Sequence, residues 1–183
     1  MSTSHDPKVV LRARMRASLA AMTPEAREAS SRAICERLAA FDRIVAAAMV
    51  MIYMPLRTEV DVLPFARRFL AAGGHLVVPR TDRAARTIEP AGVSSVERDE
   101  FEVDAMGVLR PRRWWPVSTD QVDVILVPGL AFDAAGRRIG RGGGFTTASC
   151  CASAGDPQRG GRLRGASSTR FPPIRTIVAW TSW

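Results

Sequence analysis

Apolar residues at Leu11, Met15, Leu19 and Met22, with Ser18 beside them, recur three and four positions apart while Arg12, Arg14 and Arg16 fall between them. That period predicts an amphipathic helix on which Lys8 and Arg12 share one face. Thr23 before Pro24 marks the next helix start, because threonine caps free amides and proline at the first helical position gives up no needed donor. This second helix is expected to run to about Ala40. Residues 44–53 form an apolar run halted by Pro55, which suits a strand buried on both faces. Residues 62–72 read as a helix stopped by Gly73 and Gly74, and 75–78 as a short strand ended by Pro79. The mixed, acidic stretch 87–107 is expected to hold irregular strands and loops, and 122–127 a further apolar strand halted by Pro128 and Gly129.

Apolar strands alternating with amphipathic helices predict a three-layer α/β domain: a mostly parallel, Rossmann-like sheet with helices on both faces. Ligands of such sheets bind beyond the carboxyl ends of the strands. Segments 53–59 and 128–145 therefore belong on one functional edge. The length of 183 residues fits a single domain. A hydrophobic fraction of 46% and a charged fraction of 24% match a water-soluble globule. No stretch approaches the roughly 18 uninterrupted apolar residues of a membrane helix, and the segment holding His5, Asp6 and Lys8 lacks a signal-peptide core. The cytoplasm is the simplest address. Cys35 stands alone and Cys150 adjoins Cys151, so there is neither a disulfide framework nor metal-ligand spacing.

The net charge of +8 changes the picture through its distribution. Arg159, Arg162, Arg164, Arg170 and Arg175 face only Asp156 after Phe145, so half the excess lies in the last fifth of the chain. Lys8 is the only lysine, a bias that reads first as GC-rich codon usage. A basic chain invites a nucleic-acid reading, and Arg110, Arg112 and Arg113 adjoin Trp114 and Trp115, side chains that can stack on bases. Such a patch is more often a solvated edge, and no recognition motif accompanies it.

The run Arg137, Arg138, Ile139, Gly140, Arg141, Gly142, Gly143, Gly144, Phe145 comes after a strand and a turn. Glycines let backbone N–H groups close on an anion and arginines add charge, so a phosphate cradle is one reading; a flexible surface loop is equally compatible. The run matches neither the Gly-Lys-Ser/Thr loop nor the Gly-x-Gly-x-x-Gly turn.

With the preceding Val127-Pro128-Gly129-Leu130-Ala131-Phe132-Asp133, this stretch closely resembles the signature of 5-formyltetrahydrofolate cyclo-ligases. Lys8-Val9-Val10-Leu11-Arg12 is similar to that family's Lys-x-x-Leu-Arg element, and 53–60 to its strand end closing in Glu-Val. Residues 107–111 resemble a further element that usually carries glutamate before the proline, where Arg110 departs from the pattern.

The resemblance implies that Lys8, Val9, Val10, Leu11 and Arg12, with Arg138, Ile139, Gly140, Arg141, Gly142, Gly143, Gly144 and Phe145, hold ATP. Tyr53, Glu59, Arg141, Gly142, Gly143 and Gly144 would meet the folate, with Lys8 and Arg141 as the catalytic cations. A carboxylate such as Glu59 can accept the paired donors of an aminopterin edge. The implied enzyme is a monomer that uses ATP with Mg2+. It phosphorylates the formyl oxygen of 5-formyltetrahydrofolate and closes the ring to 5,10-methenyltetrahydrofolate through N10, chiefly by positioning and charge neutralisation. The competing readings are a basic nucleic-acid-binding protein and an ATP-binding remnant without catalysis.

The resemblance stops after Phe145. The family continues Tyr-Tyr-Asp-Arg, with an aspartate that helps hold the metal; Thr146 and Thr147 stand there, so no metal ligand is identifiable. Residues 146–183 turn rich in Ser, Gly, Arg and Pro, a composition expected to pack poorly, and form a non-family tail after a 1–145 cyclo-ligase-like domain. Strand 122–127 would then lose cover and expose apolar surface. A lost base is one reading of the change, and a genuinely divergent, Arg-rich tail is the other. Residues 146–151 written ACG ACC GCT TCC TGC TGC, with one T restored in front, read Tyr-Asp-Arg-Phe-Leu-Leu. In the same shifted frame 173–181, written CCG ATC CGC ACG ATC GTC GCG TGG ACG and read from the last base of the Pro173 codon, gives Asp-Pro-His-Asp-Arg-Arg-Val-Asp, which resembles the family's C-terminal Pro-x-x-His-Asp and Val-Asp. Sequencing the gene across the Phe145 codon is expected to show that this alternative frame continues the family pattern; a frame encoding nothing similar would sink the idea.

Overall fold

The protein is described from a computed structural model covering residues 6–82, 87–103, 109–133, 138–141 and 176–178. Helix α1 spans Pro7–Ala21; Asp6 caps it by accepting from Lys8 N at 2.9 Å. Helix α2 spans Pro24–Ala39, with Thr23 Oγ1 accepting from Ala26 N at 3.2 Å. Both starts use the cap-then-proline chemistry legible in the sequence. The apolar run 44–53 is not one strand. A short helix α3, Asp42–Val45, occupies its start, and strand β1 is only Met49–Met51. Hydrophobicity alone cannot separate a buried helical turn from a strand.

Helix α4, Leu63–Ala71, ends where Gly73 takes φ +88°, a backbone that L side chains rarely adopt, and Gly73 N and Gly74 N donate to the last-turn carbonyls of Leu70 and Phe69. Strand β2, His75–Asp82, runs through Pro79 instead of stopping there, and 87–93 is a regular strand, β3, Thr87–Val93. The register explains both corrections: Pro79 lies opposite Pro90 in the antiparallel β2–β3 pair. Directly opposed residues alternate between bonded and non-bonded pairs, and two residues without N–H groups fit a non-bonded one.

The remaining strands are β4 (Phe101–Val103), β5 (Leu109–Pro111), β6 (Trp115–Pro116), β7 (Val124–Leu126), β8 (Ala131–Phe132), β9 (Arg138–Ile139) and β10 (Thr176–Val178). The main sheet has the order β10-β7-β1-β2-β3-β6. The first four are parallel, while β3 and β6 are antiparallel, so the expected parallel character holds for part of the sheet within an α/β architecture.

Side chains alternate across this sheet with the period of two that a pleated strand imposes. Val50, Leu76, Val78, Val124 and Leu126 join Leu38 and Phe65 of the helices in one core. Val77, Ile125 and Val127 point to the other face, where Met49, Met51, Val117 and Val122 pack and no described helix contributes. Val122 and residues 124–127 are nonetheless all at most 8% exposed, so the exposure expected along this strand is absent. No described helix is long and apolar enough to cross a membrane.

Asp123 joins the neighbouring strands β7 and β1 at their starts: Oδ2 accepts from Ala48 N and Met49 N, both at 3.0 Å. Removing it leaves two strand-start donors short of an acceptor. Asp123→Ala is expected to cost about 1–3 kcal/mol, read from the urea midpoint; an unmoved midpoint would refute this role.

Candidate active site

The parallel strands β1 and β7 are neighbours and end at the same edge, at Met51 and Leu126. The 52–61 segment leaves the first and residue 127 leaves the second, which brings 53–59 together with the described part of the expected 128–145 stretch, residues 128–133 and 138–141. Between them lies a cavity of about 40 Å³ whose lining includes Leu19, Tyr53, Glu59, Pro128, Gly129 and Phe132. It has room for a few waters, not for a pterin. A Cβ at Gly129 would lie 2.6 Å from Phe132 Cζ, so glycine is required for this ring to fold back over the strand end.

Strands β8 and β9 pair as a hairpin above the cavity, with Leu130 N donating to Ile139 O at 2.8 Å and Arg138 Nη1 to Pro128 O at 3.3 Å. This carries Gly140 and Arg141 over the 56–59 turn. There Arg141 Nε donates to Glu59 Oε1 at 3.0 Å and its Nη2 donates to Thr58 Oγ1. The Glu59 side chain is only 14% exposed, and its Oε2 accepts from Leu56 N at 3.0 Å, so both oxygens are engaged. Each carboxylate oxygen has two acceptor positions, which leaves capacity for further donors.

Helix α1 approaches from the other side. Arg12 Nε donates to Gly140 O at 3.1 Å and Arg16 Nη2 to Arg141 O at 2.7 Å. The guanidiniums of Arg12, Arg16 and Arg141 thus gather around one short stretch of backbone, a concentration of positive charge suited to a polyanion. Lys8 lies four residues before Arg12 at the exposed helix start, and Val9, Val10 and Leu11 are 58%, 51% and 36% exposed. Gly142, Gly143, Gly144 and Phe145 lie outside the described residues.

Tyr53 donates its hydroxyl to Val60 O at 2.9 Å, and burial, with the Glu59 charge adding, pushes its phenol far above the ordinary value. It remains a neutral donor. Burial also raises the Cys35 thiol, which donates to Asp61 O at 3.3 Å, so this cysteine is no nucleophile. Among the described residues no group of three or more His, Cys, Asp or Glu is arranged to hold a metal ion.

Sequence reasoning does not single out Arg16, Thr58 or the carbonyl clamp of Arg138. Arg16 is within its reach, since Lys8, Arg12 and Arg16 are each four apart on one helical face. Thr58 and Arg141 are 83 residues apart, a contact no local pattern reveals. The basic aromatic patch is partly engaged within the chain: the Arg80 guanidinium sits 4.5 Å from the Trp114 ring centroid, a Cβ at Gly92 would meet the Trp115 ring, and Arg112 faces Glu102 at 3.7 Å, while Trp114 and Trp115 stay 38% and 45% exposed. The departure at Arg110 places it opposite Glu102 in the β4–β5 pair, a favourable cross-strand charge pairing.

The model of the 5-formyltetrahydrofolate cyclo-ligase family matches residues 4–158. A 5-formyltetrahydrofolate cyclo-ligase from Mus musculus is 24% identical over 156 residues, covering 78% of this chain and 73% of that protein. The cyclo-ligase from Escherichia coli (strain K12) is 25% identical over 135 residues, covering 68% and 69%. The NMR structure of Aquifex aeolicus 5,10-methenyltetrahydrofolate synthetase aligns with a TM-score of 0.68 at 24% identity, over 96% of this chain and 84% of that one. A 5,10-methenyltetrahydrofolate synthetase from Mycoplasma pneumoniae aligns with a TM-score of 0.63 at 16% identity, over 93% and 96%. These two establish likeness of fold. The matched family favours the cyclo-ligase reading over nucleic-acid binding.

Arg141 and Glu59 are expected to be energetically coupled. A double-mutant cycle with Arg141→Ala and Glu59→Ala, followed by urea unfolding, should give an interaction of about 0.5–3 kcal/mol; strictly additive effects would mean the pair is incidental.

Proposed function

The chain belongs to the 5-formyltetrahydrofolate cyclo-ligase family, and we propose that it converts 5-formyltetrahydrofolate and ATP to 5,10-methenyltetrahydrofolate, ADP and phosphate. The observation that carries this is Arg141, whose side chain holds Glu59 while its carbonyl is held by Arg16. One residue thereby joins the turn read as folate-binding to the helix read as ATP-binding.

In this reading Lys8, Arg12 and Arg16 of α1, with 138–145, surround the triphosphate. Glu59 accepts from the pterin through its unused lone pairs, and Tyr53 holds the turn in place as a neutral donor to Val60. The γ-phosphoryl group passes to the formyl oxygen and ADP leaves. N10 then attacks the activated carbon and loses its proton, and the carbon–oxygen bond breaks to release phosphate. The cations of this chain neutralise charge that builds on the transferring oxygens, a role that demands fixed positions more than a protein nucleophile. Mg2+ would enter bound to the triphosphate and supply charge neutralisation there; among the described residues no group of three or more His, Cys, Asp or Glu is arranged to hold it. The same reading takes the enzyme as a cytoplasmic monomer.

The tail bears on rate. With Thr146 and Thr147 where the family has Tyr-Asp, the reading takes 1–145 as the cyclo-ligase domain and 146–183 as out of frame. The chain as it stands is expected to bind both ligands but to form methenyl product, monitored by its absorbance, about 10²–10³ times more slowly than a version carrying Tyr-Asp-Arg after Phe145. Product from neither version would refute the function, and ATP binding alone would mark a remnant. Gly140 provides a second check, since a Cβ there meets nothing within 4 Å. Gly140→Ala should leave stability unchanged yet raise the KM for ATP if the backbone closes on the nucleotide; an unchanged KM would place the nucleotide elsewhere.

A further inference from the structure

Glu59 borders a second space. An open groove of about 660 Å³ runs between α2, the 55–64 segment, Arg68 of α4 and Arg98. Its walls hold an uneven set of charges. Arg32 is taken by Glu28 at 2.8 Å and Arg68 by Glu36 at 3.0 Å. Glu59 is satisfied from outside the groove by Arg141 at 3.0 Å. What remains is Arg27, Arg57 and Arg98 against Asp61 alone, an excess of two positive charges.

These three cations differ in kind. Arg27 is built in: Nη2 donates to Leu19 O at 2.8 Å and Met22 O at 3.4 Å, and Nη1 to Arg57 O at 3.0 Å. Its Nε is buried without a partner, an uncommon state for a charged donor. The Arg57 and Arg98 side chains are exposed and meet no carboxylate among the described residues.

A folate is a long molecule. Its pterin is joined through an aminobenzoyl group to a glutamate that carries two carboxylates. The small cavity beside Glu59 cannot hold that length, whereas the groove begins at the same residue and is ample for it. We propose that this groove binds the benzoylglutamate end of the folate, with Arg57 and Arg98 meeting the two carboxylates and Arg27 supporting the wall between them and Glu59. The inference rests on the folate reading of Glu59. The two-charge excess matches a dianion, and guanidinium forks suit carboxylates. Because the groove is open to water, its contribution is modest and falls with salt.

The test is calorimetric binding to the full chain at low ionic strength, comparing 5-formyltetrahydrofolate with 5-formyltetrahydropteroate, which lacks the glutamate. The native chain should prefer the folate by about tenfold, as two exposed ion pairs would give. In Arg57→Ala/Arg98→Ala the preference should fall toward one, as it should in native protein at high salt. Arg37→Ala, on the exposed surface of α2 outside the groove, should keep it. Binding of both ligands with the native preference intact in the double variant overturns the groove and leaves the functional reading standing. Binding of neither ligand overturns both.

Discussion

The contact between Arg141 and Glu59 is the constraint around which the edge of this sheet is organised. An ion pair at 3.0 Å with one partner 14% exposed is neither a fully solvated surface pair nor a dry core pair. At the surface it would contribute little; partly buried, with Thr58 and the Leu56 amide completing the local hydrogen bonds, it is worth holding. Its two residues belong to segments that leave different strands, so the pair fixes the separation of two loops that no backbone ladder joins. Arg12 and Arg16 then attach α1 to the same short stretch through carbonyls. Loops, helix and sheet edge form one hydrogen-bonded circuit.

That circuit is possible because the core beneath it is ordinary. Parallel pairing of β1 with both β2 and β7 puts the carboxyl ends of adjacent strands side by side, and Asp123 holds the opposite ends of β1 and β7 together. Buried Val50, Leu76 and Val124 make the centre of the sheet nearly solvent-free, which leaves little freedom in where the next residues emerge. The charged residues are therefore displayed by a rigid apolar platform, the arrangement that electrostatic catalysis needs.

Much of the scaffold is legible in the sequence because its signals are local. Thr23-Pro24, the arginine-spaced face of α1 and the Gly73 stop each act within a turn of chain, and each lies where the sequence placed it. The misreadings are of another kind. The helical turn at Asp42–Val45 hides inside an apolar run that is equally good for a strand, and the order of β3 comes from pairing with β2, including two opposed prolines. At the site, resemblance names Glu59 and Arg141 separately. Their contact spans 82 positions and arises only when two strands align in parallel. The groove behind Glu59 is invisible in the sequence for the same reason, since its arginines come from two helices, a loop and a 3-10 turn.

In the proposed reading Arg141 serves both sides of the site, its guanidinium holding the Glu59 turn and its carbonyl held by Arg16 of α1, and the proposed chemistry depends on both attachments. Arg141→Lys keeps the charge but loses the fork that reaches both Glu59 and Thr58. The direct measurement is the affinity of this variant for 5-formyltetrahydrofolate and for a non-hydrolysable ATP analogue, each against the native chain. Both affinities should fall together; a loss confined to one ligand, with the other bound as in the native chain, would contradict the shared role.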